Sequence, residues 1–192
     1  MNRLESILEH NRRFVENREY EAYVTDRFPD KKMVVVTCMD TRLTELLPRA
    51  MNLRNGDAKI IKNAGGIVTQ PFGNIMRSIL IALYELKAAE VFIVGHHECG
   101  MTGLDPEIVL GHMRERGIAD STIEMLTNSG IQLDRWLTGF DNVRESVERS
   151  VGIVRRHPLL PPGTAVHGLI VHPVTGKLDL VVDGYAGASL VT

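Results

Sequence analysis

The chain has 192 residues, of which 44% are hydrophobic and 24% charged, and its formal net charge is −2. That length is enough to bury a core within a single domain, 1–192, and the composition excludes a disordered chain. Lys and Arg are scattered, so there is no electrostatic footprint for nucleic acid, and no uninterrupted apolar run is long enough to span a bilayer. The charged opening Met1–Ser6 leads into no apolar signal-peptide core, which makes a cytoplasmic location the expectation. In that compartment two cysteines, Cys38 and Cys99, are more often catalytic, metal-binding or inert than disulfide-bonded.

Leu4, Ile7, Leu8 and Phe14 recur at helical spacing and predict an amphipathic helix over 2–15, with a short second one near Glu19–Asp26. A helix ahead of the first strand cannot be a crossover. Residues 1–28 therefore read as an arm packed on the outside of the domain or on a partner subunit. Lys32–Cys38 is the first strand, and its valine run implies burial on both faces, as in a parallel sheet. Leu43–Met51 reads as a short helix that Pro48 limits or kinks. Asn55-Gly56-Asp57 is a turn and Ala58–Asn63 a second strand, after which Ala64-Gly65-Gly66 lets the backbone pass close to a neighbour. Asn74–Leu86 puts Ile75, Ile79, Leu80, Leu83 and Leu86 on one stripe of a helix. Glu90–Gly95 is the third strand.

From Asp105 to about His157 the pattern is mostly helical. It opens on an N-cap, a proline and an acidic first turn, and Gly117, Gly130 and Gly139 divide it. Val143, Val147, Val151 and Val154 mark its last helix. Pro161-Pro162-Gly163 is a rigid connector. Thr164–His172 and Lys177–Val182 then form a hairpin around Pro173–Gly176, and Asp183–Thr192 reads as a flexible tail. Strand and helix alternate over the first hundred residues. The expected fold is α/β: a mainly parallel central sheet flanked by helices, with an antiparallel edge strand and an N-terminal helical arm.

In such sheets sites form at the carboxyl ends of strands, and this reading places both Cys38 and His96 there. Zinc takes thiolate and imidazole ligands in tetrahedral geometry, usually three from the protein in a catalytic site. Cys38, His96 and Cys99 supply two sulfurs and one nitrogen. The H-x-x-C spacing turns two of them toward one point, and Cys38 must arrive from another strand. Asp40 is the nearest carboxylate to the fourth position, and Arg42 is spaced to pair with it. A cysteine at a strand end is, by itself, better explained as packing, and Asp40 with Arg42 could be an exposed ion pair of little worth. What favours a site is the use of both cysteines at two strand ends. His97 is read as a non-ligand and Glu98 as solvent-facing or at the rim. His112, His157, His167 and His172 have no partner pattern. Other readings fail on spacing: three residues separate Cys38 from Arg42 where a cysteine-phosphatase loop needs five. There is no P-C-x-x-C run for a nucleobase deaminase and no C-x-x-C redox pair.

Cys38-Met39-Asp40-Thr41-Arg42, followed by Gly95-His96-His97-Glu98-Cys99-Gly100-Met101, resembles the β class of carbonic anhydrases. That family carries C-x-D-x-R after its first strand and H-x-x-C after its third, with an Asn-Ala-Gly loop between them that Asn63-Ala64-Gly65 matches. The resemblance implies zinc held by Cys38, His96 and Cys99, with Asp40 and Arg42 as a catalytic dyad. Asp40 pairs with Arg42 in an open state and becomes a fourth metal ligand in a closed one. It implies reversible hydration of carbon dioxide to bicarbonate and a proton. Zinc lowers the pKa of bound water from far above the neutral range toward ~7, and the hydroxide attacks the substrate. It also implies a homodimer or dimer of dimers, with the leading helices packed on the neighbouring subunit. The chain departs from the commonest pattern at His97 and Glu98 and through Gly103–Gly139. Two alternatives stand beside this reading. One is a carbonyl sulfide or carbon disulfide hydrolase on the same scaffold. The other is a non-catalytic zinc-binding protein whose site stays closed.

Overall fold

The computed structural model describes residues 2–186. Five strands form one sheet in the order β2-β1-β3-β4-β5: β1 is Met33–Cys38, β2 Ala58–Asn63, β3 Glu90–His96, β4 Ala165–Val171 and β5 Leu178–Val182. The first four are parallel, and β5 returns antiparallel on the outer side of β4. The helices are α1 Arg3–Glu16, α2 Leu43–Ala50, α3 Asn74–Tyr84, α4 Pro106–Glu115, α5 Asp120–Asn128, α6 Leu133–Leu137 and α7 Val143–Arg155. The chain thus adopts the expected class, a mostly parallel sheet with an antiparallel edge, flanked by helices.

β1 is central because it is apolar on both sides, and all six of its residues are buried. On one face Val34 and Val36 join Met76 and Ile79 of α3 and Val147, Val151 and Val154 of α7. On the other, Met33 and Val35 join Leu43 and Leu47 of α2. Burying one such side chain is worth about 1.5–3 kcal/mol, so the valine run outweighs any single hydrogen bond, at a net of ~1 kcal/mol. The hydroxyl in the run is satisfied: Thr37 Oγ1 donates to the Val94 carbonyl at 3.0 Å. α7 presses close on the sheet because Gly95 has no side chain. A Cβ there would stand 2.8 Å from Val147 and 2.9 Å from Val143.

Several expected elements shift at their ends. The short helix expected at Glu19–Asp26 is a single 3₁₀ turn, Glu19–Tyr23, entered through Arg18 at φ +58. α2 carries Pro48 inside it. The helical stretch after Asp105 is divided near Gly117, Gly130 and Gly139, the first two at positive φ. α1 buries none of its residues and leaves Leu4, Ile7 and Leu8 exposed. Of the stretch read as a tail, Gly184 N–H donates to His167 Nδ1 at 3.0 Å and the Tyr185 hydroxyl donates to Glu90 Oε1 at 2.8 Å. Residues 187–192 lie outside the described residues. No helix among the described residues is long and apolar enough to cross a membrane.

Two features place a site. β1 pairs with β2 on one side and β3 on the other, so the strand order reverses between β1 and β3. A crevice opens at the carboxyl ends of strands at such a switch point. The turn Ala64–Gly66 after β2 then crosses the end of β1. Gly66 sits at φ +64, and a Cβ on it would lie 2.7 Å from the Cys38 backbone nitrogen. Gly66→Ala should destabilise the protein by at least ~2 kcal/mol, through left-handed strain together with overlap. A lowered urea midpoint is the expected reading; an unchanged one would mean that the turn is free to lift off Cys38.

Candidate metal centre

Cys38 is the last residue of β1 and His96 the last of β3. The chain leaves β3 by a tight turn: His97 N–H donates to the Val171 carbonyl at 3.1 Å, Glu98 takes a left-handed φ of +55, and Thr102 N–H returns to the Cys99 carbonyl at 2.9 Å. That turn brings Cys99 back over the crevice. Its sulfur lies 3.9 Å from the Cys38 sulfur, and both thiols are free and buried. The ligand atoms of Cys38, His96 and Cys99 all lie within 4.8 Å of one another.

These donors fit zinc. A tetrahedral site with zinc–sulfur bonds of about 2.3 Å has a sulfur–sulfur edge of about 3.8 Å, close to the separation found. The imidazole is prepared for the same task. His96 Nδ1 is bonded to the His97 carbonyl at 2.8 Å, which fixes the proton there and leaves Nε2 as the lone-pair nitrogen. Nε2 is buried and has no hydrogen-bond partner. A buried ring nitrogen with a free lone pair that faces two thiols is suited to a metal ion.

Asp40 and Arg42 stand beside the cluster. Asp40 Oδ1 accepts from the Arg42 backbone N–H at 2.9 Å and from Nε at 3.1 Å, and Oδ2 accepts from Nη2 at 2.9 Å. This is a two-pronged charge-assisted pair. Asp40 Oδ2 is also 3.8 Å from His96 Nε2, so the carboxylate borders the cluster while turned to the arginine. The hydrogen bonds from Arg42 hold the Asp40 carboxyl down at about 2, against the opposing effect of burial. The two thiols are coupled. The hydrogen bond between them favours a thiolate on Cys38, aided by His96 and the backbone N–H groups of Asp40 and Gly65, and raises Cys99. One thiolate in the pair is favoured over two.

Of the residues singled out from sequence, Cys38, His96 and Cys99 converge, and Asp40 and Arg42 lie alongside. His97 points elsewhere, with Nε2 3.8 Å from Asp179 Oδ2. Two further contributors make contacts that their sequence positions did not reveal. Glu98 accepts from Arg42 twice, through Oε2 at 3.1 Å and its carbonyl at 3.0 Å. Asn63 clasps the Ala64–Gly66 turn, its side chain accepting from Ile67 N–H at 3.0 Å and donating to the Ile67 carbonyl at 2.7 Å. A cavity of about 730 Å³ opens beside Asn63 and Ala64, walled by Ile67, Met101, Leu104 and Trp136.

The family model described as carbonic anhydrase matches residues 33–178. The chain is 62% identical over 182 residues to "Putative carbonic anhydrase YvdA" of Bacillus subtilis (strain 168), across 95% of this chain and 92% of that one. It is 29% identical over 157 residues to a carbon disulfide hydrolase of Acidithiobacillus thiooxidans, across 78% of this chain and 76% of that one. Its fold superposes on the crystal structure of β-carbonic anhydrase isoform I from Trichomonas vaginalis with a TM-score of 0.86 and 34% identity, covering 96% of this chain and 100% of the other.

The Asp40–Arg42 pair has a pH signature. The folded-state value of about 2 lies below the ordinary 3.8. Its stabilisation is therefore complete above the ordinary value and is lost as pH falls toward the folded value. Arg42→Ala should lower the urea midpoint of the metal-free protein most at pH 6, with the gap to wild type narrowing by pH 3. A gap that stays constant or widens would refute the pairing.

Proposed function

We propose a zinc-dependent carbonic anhydrase activity for this chain, which belongs to the β-class carbonic anhydrase family: the reversible hydration of carbon dioxide to bicarbonate and a proton. The observation that carries the proposal is the convergence of two buried sulfurs and one unpartnered imidazole nitrogen beside a carboxylate held by arginine.

Cys38, His96 and Cys99 would hold the metal. Zinc bound there supplies a Lewis acid that makes water nucleophilic near neutral pH. Two thiolates would balance its charge, and the Nδ1 bond to the His97 carbonyl fixes the tautomer and the turn of the ring, leaving Nε2 for the metal. Asp40 is kept ionised by Arg42, so it serves as a hydrogen-bond acceptor for the reacting water and orients it. The double contact with Arg42 supports an open site, in which Asp40 is restrained from becoming a fourth ligand. Ile67, Met101 and Leu104 offer an apolar wall to a substrate with no net dipole, and the adjoining cavity is a route for bicarbonate to leave.

The chain is read as one functional unit over 1–192 and as a homodimer or dimer of dimers in the cytoplasm. The exposed apolar residues of α1 support a second copy packing over them. Likeness to a carbon disulfide hydrolase favours one second reading, hydrolysis of carbon disulfide or carbonyl sulfide by the same residues.

Elemental analysis should find close to one zinc per chain, and Cys38→Ser or Cys99→Ser should lose most of it. Full retention in both variants would remove the assignment. Stopped-flow mixing between about pH 6.5 and 9, which brackets the expected ionisation near ~7, should show carbon dioxide hydration. Asp40→Asn should lower the rate roughly 100-fold, at the low end for loss of a proton-handling group, while keeping zinc. A zinc-loaded protein inactive toward carbon dioxide but active toward carbon disulfide would establish the second reading instead.

A further inference from the structure

One guanidinium in this structure serves two acids on two different loops. Arg42 Nε and Nη2 face Asp40, which follows β1. Nη1 donates to Glu98 Oε2 at 3.1 Å, and Nη2 also donates to the Glu98 carbonyl at 3.0 Å. Glu98 lies between His96 and Cys99, so the contact joins the loop of one sulfur to the loop of the other two donors. Among the described residues, Glu98 is one of five non-glycine residues at positive φ, at +55. Residues held in that region cluster where the surroundings over-determine them. Here the left-handed turn points the Glu98 carbonyl and its carboxylate at the same side chain.

The Arg42 side chain is 39% exposed. Asp40 holds one side of the guanidinium only, and water competes for the rest. An arginine held on one side is free to swing outward and take its partner with it. Held on both sides, it presents Nε and Nη2 to Asp40 in a constant orientation.

Resting on the carbonic anhydrase reading, we propose that Glu98 is a positioning residue: its carboxylate anchors Arg42 from the side opposite Asp40, and so fixes where the Asp40 carboxylate stands beside the Cys38–His96–Cys99 cluster. The role needs an oxygen acceptor at Nη1 and does not need the charge of Glu98. It acts wholly through Arg42.

The test uses the zinc-loaded protein with the variants E98A, E98Q and R42A and the double variant E98A/R42A. E98A should lower kcat/KM for hydration about tenfold, the lower end for partners that act through another residue. E98Q keeps an oxygen for Nη1 and should restore most of that loss. In the R42A background E98A should cause no further loss, because the path through Arg42 is already gone. Independently of activity, NMR should show the Arg42 Nε–H exchanging slowly with water in wild type and E98Q. In E98A that exchange should be several-fold faster. Losses that multiply in the double variant, an E98Q as impaired as E98A, or an Arg42 Nε–H unchanged in E98A would each overturn the proposal. If wild type hydrates no carbon dioxide, the functional reading falls, and the exchange measurement alone decides the role of Glu98.

Discussion

The meeting of Cys38 with His96 and Cys99 depends on β1 and β3 being neighbours. Thr37 pairs with Val94, so Cys38 and His96 leave the same edge of the sheet almost level. Adjacent strands lie about 4.8 Å apart, which is the span that the ligand atoms of one ion can bridge. A single strand inserted between them would roughly double that distance, and no side chain of this length would close it. The order β2-β1-β3 is therefore more than a layout. It brings residues about sixty positions apart into one cluster of donors, and the crossing turn at Gly66 and the fork of Arg42 refine a meeting that the sheet has already arranged.

The electrostatics share a common logic. A buried thiol pair resists losing its second proton, because one thiolate raises the other. A divalent cation reverses that balance and is the species that makes both sulfurs ionise. Asp40 is treated in the opposite way. Its charge is secured chiefly by Arg42, with His96 a lesser influence, and the pair with Arg42 turns the carboxylate toward the guanidinium. One acid is thus available to accept a hydrogen bond because another group has already satisfied its charge.

The large features were legible in the chain because they are consequences of burial and covalent spacing. Three successive valines admit little besides a strand covered on both faces, and H-x-x-C admits little besides two donors facing one way. Asn63-Ala64-Gly65-Gly66 announced a close approach, and the neighbour proves to be the end of β1. What the chain did not announce was anything set by long-range orientation. Glu98 read as a rim residue because its exposure is real; its side chain is 66% accessible. Its bond to Arg42 exists only after a left-handed turn and a strand pairing have formed. The turn at Glu19–Tyr23 was over-read as a helix because composition does not reveal that Arg18 breaks the run. The stretch from α4 to α6 shows the same limit: its glycine breaks were visible, and its contribution of Trp136 to a cavity wall was not.

The separation of Cys38 and Cys99 along the chain also bears on the order in which the protein is made. Their sulfurs meet across 61 positions, and the pairing that unites them is parallel and non-local, the kind of contact that forms slowly because loop closure comes before its reward. A small zinc module gathers its ligands from a short segment and folds around the ion. This chain cannot do so. While β1 and β2 emerge during synthesis, two of the three donors do not yet exist. The valine core therefore carries the burden of folding before the three donors can meet.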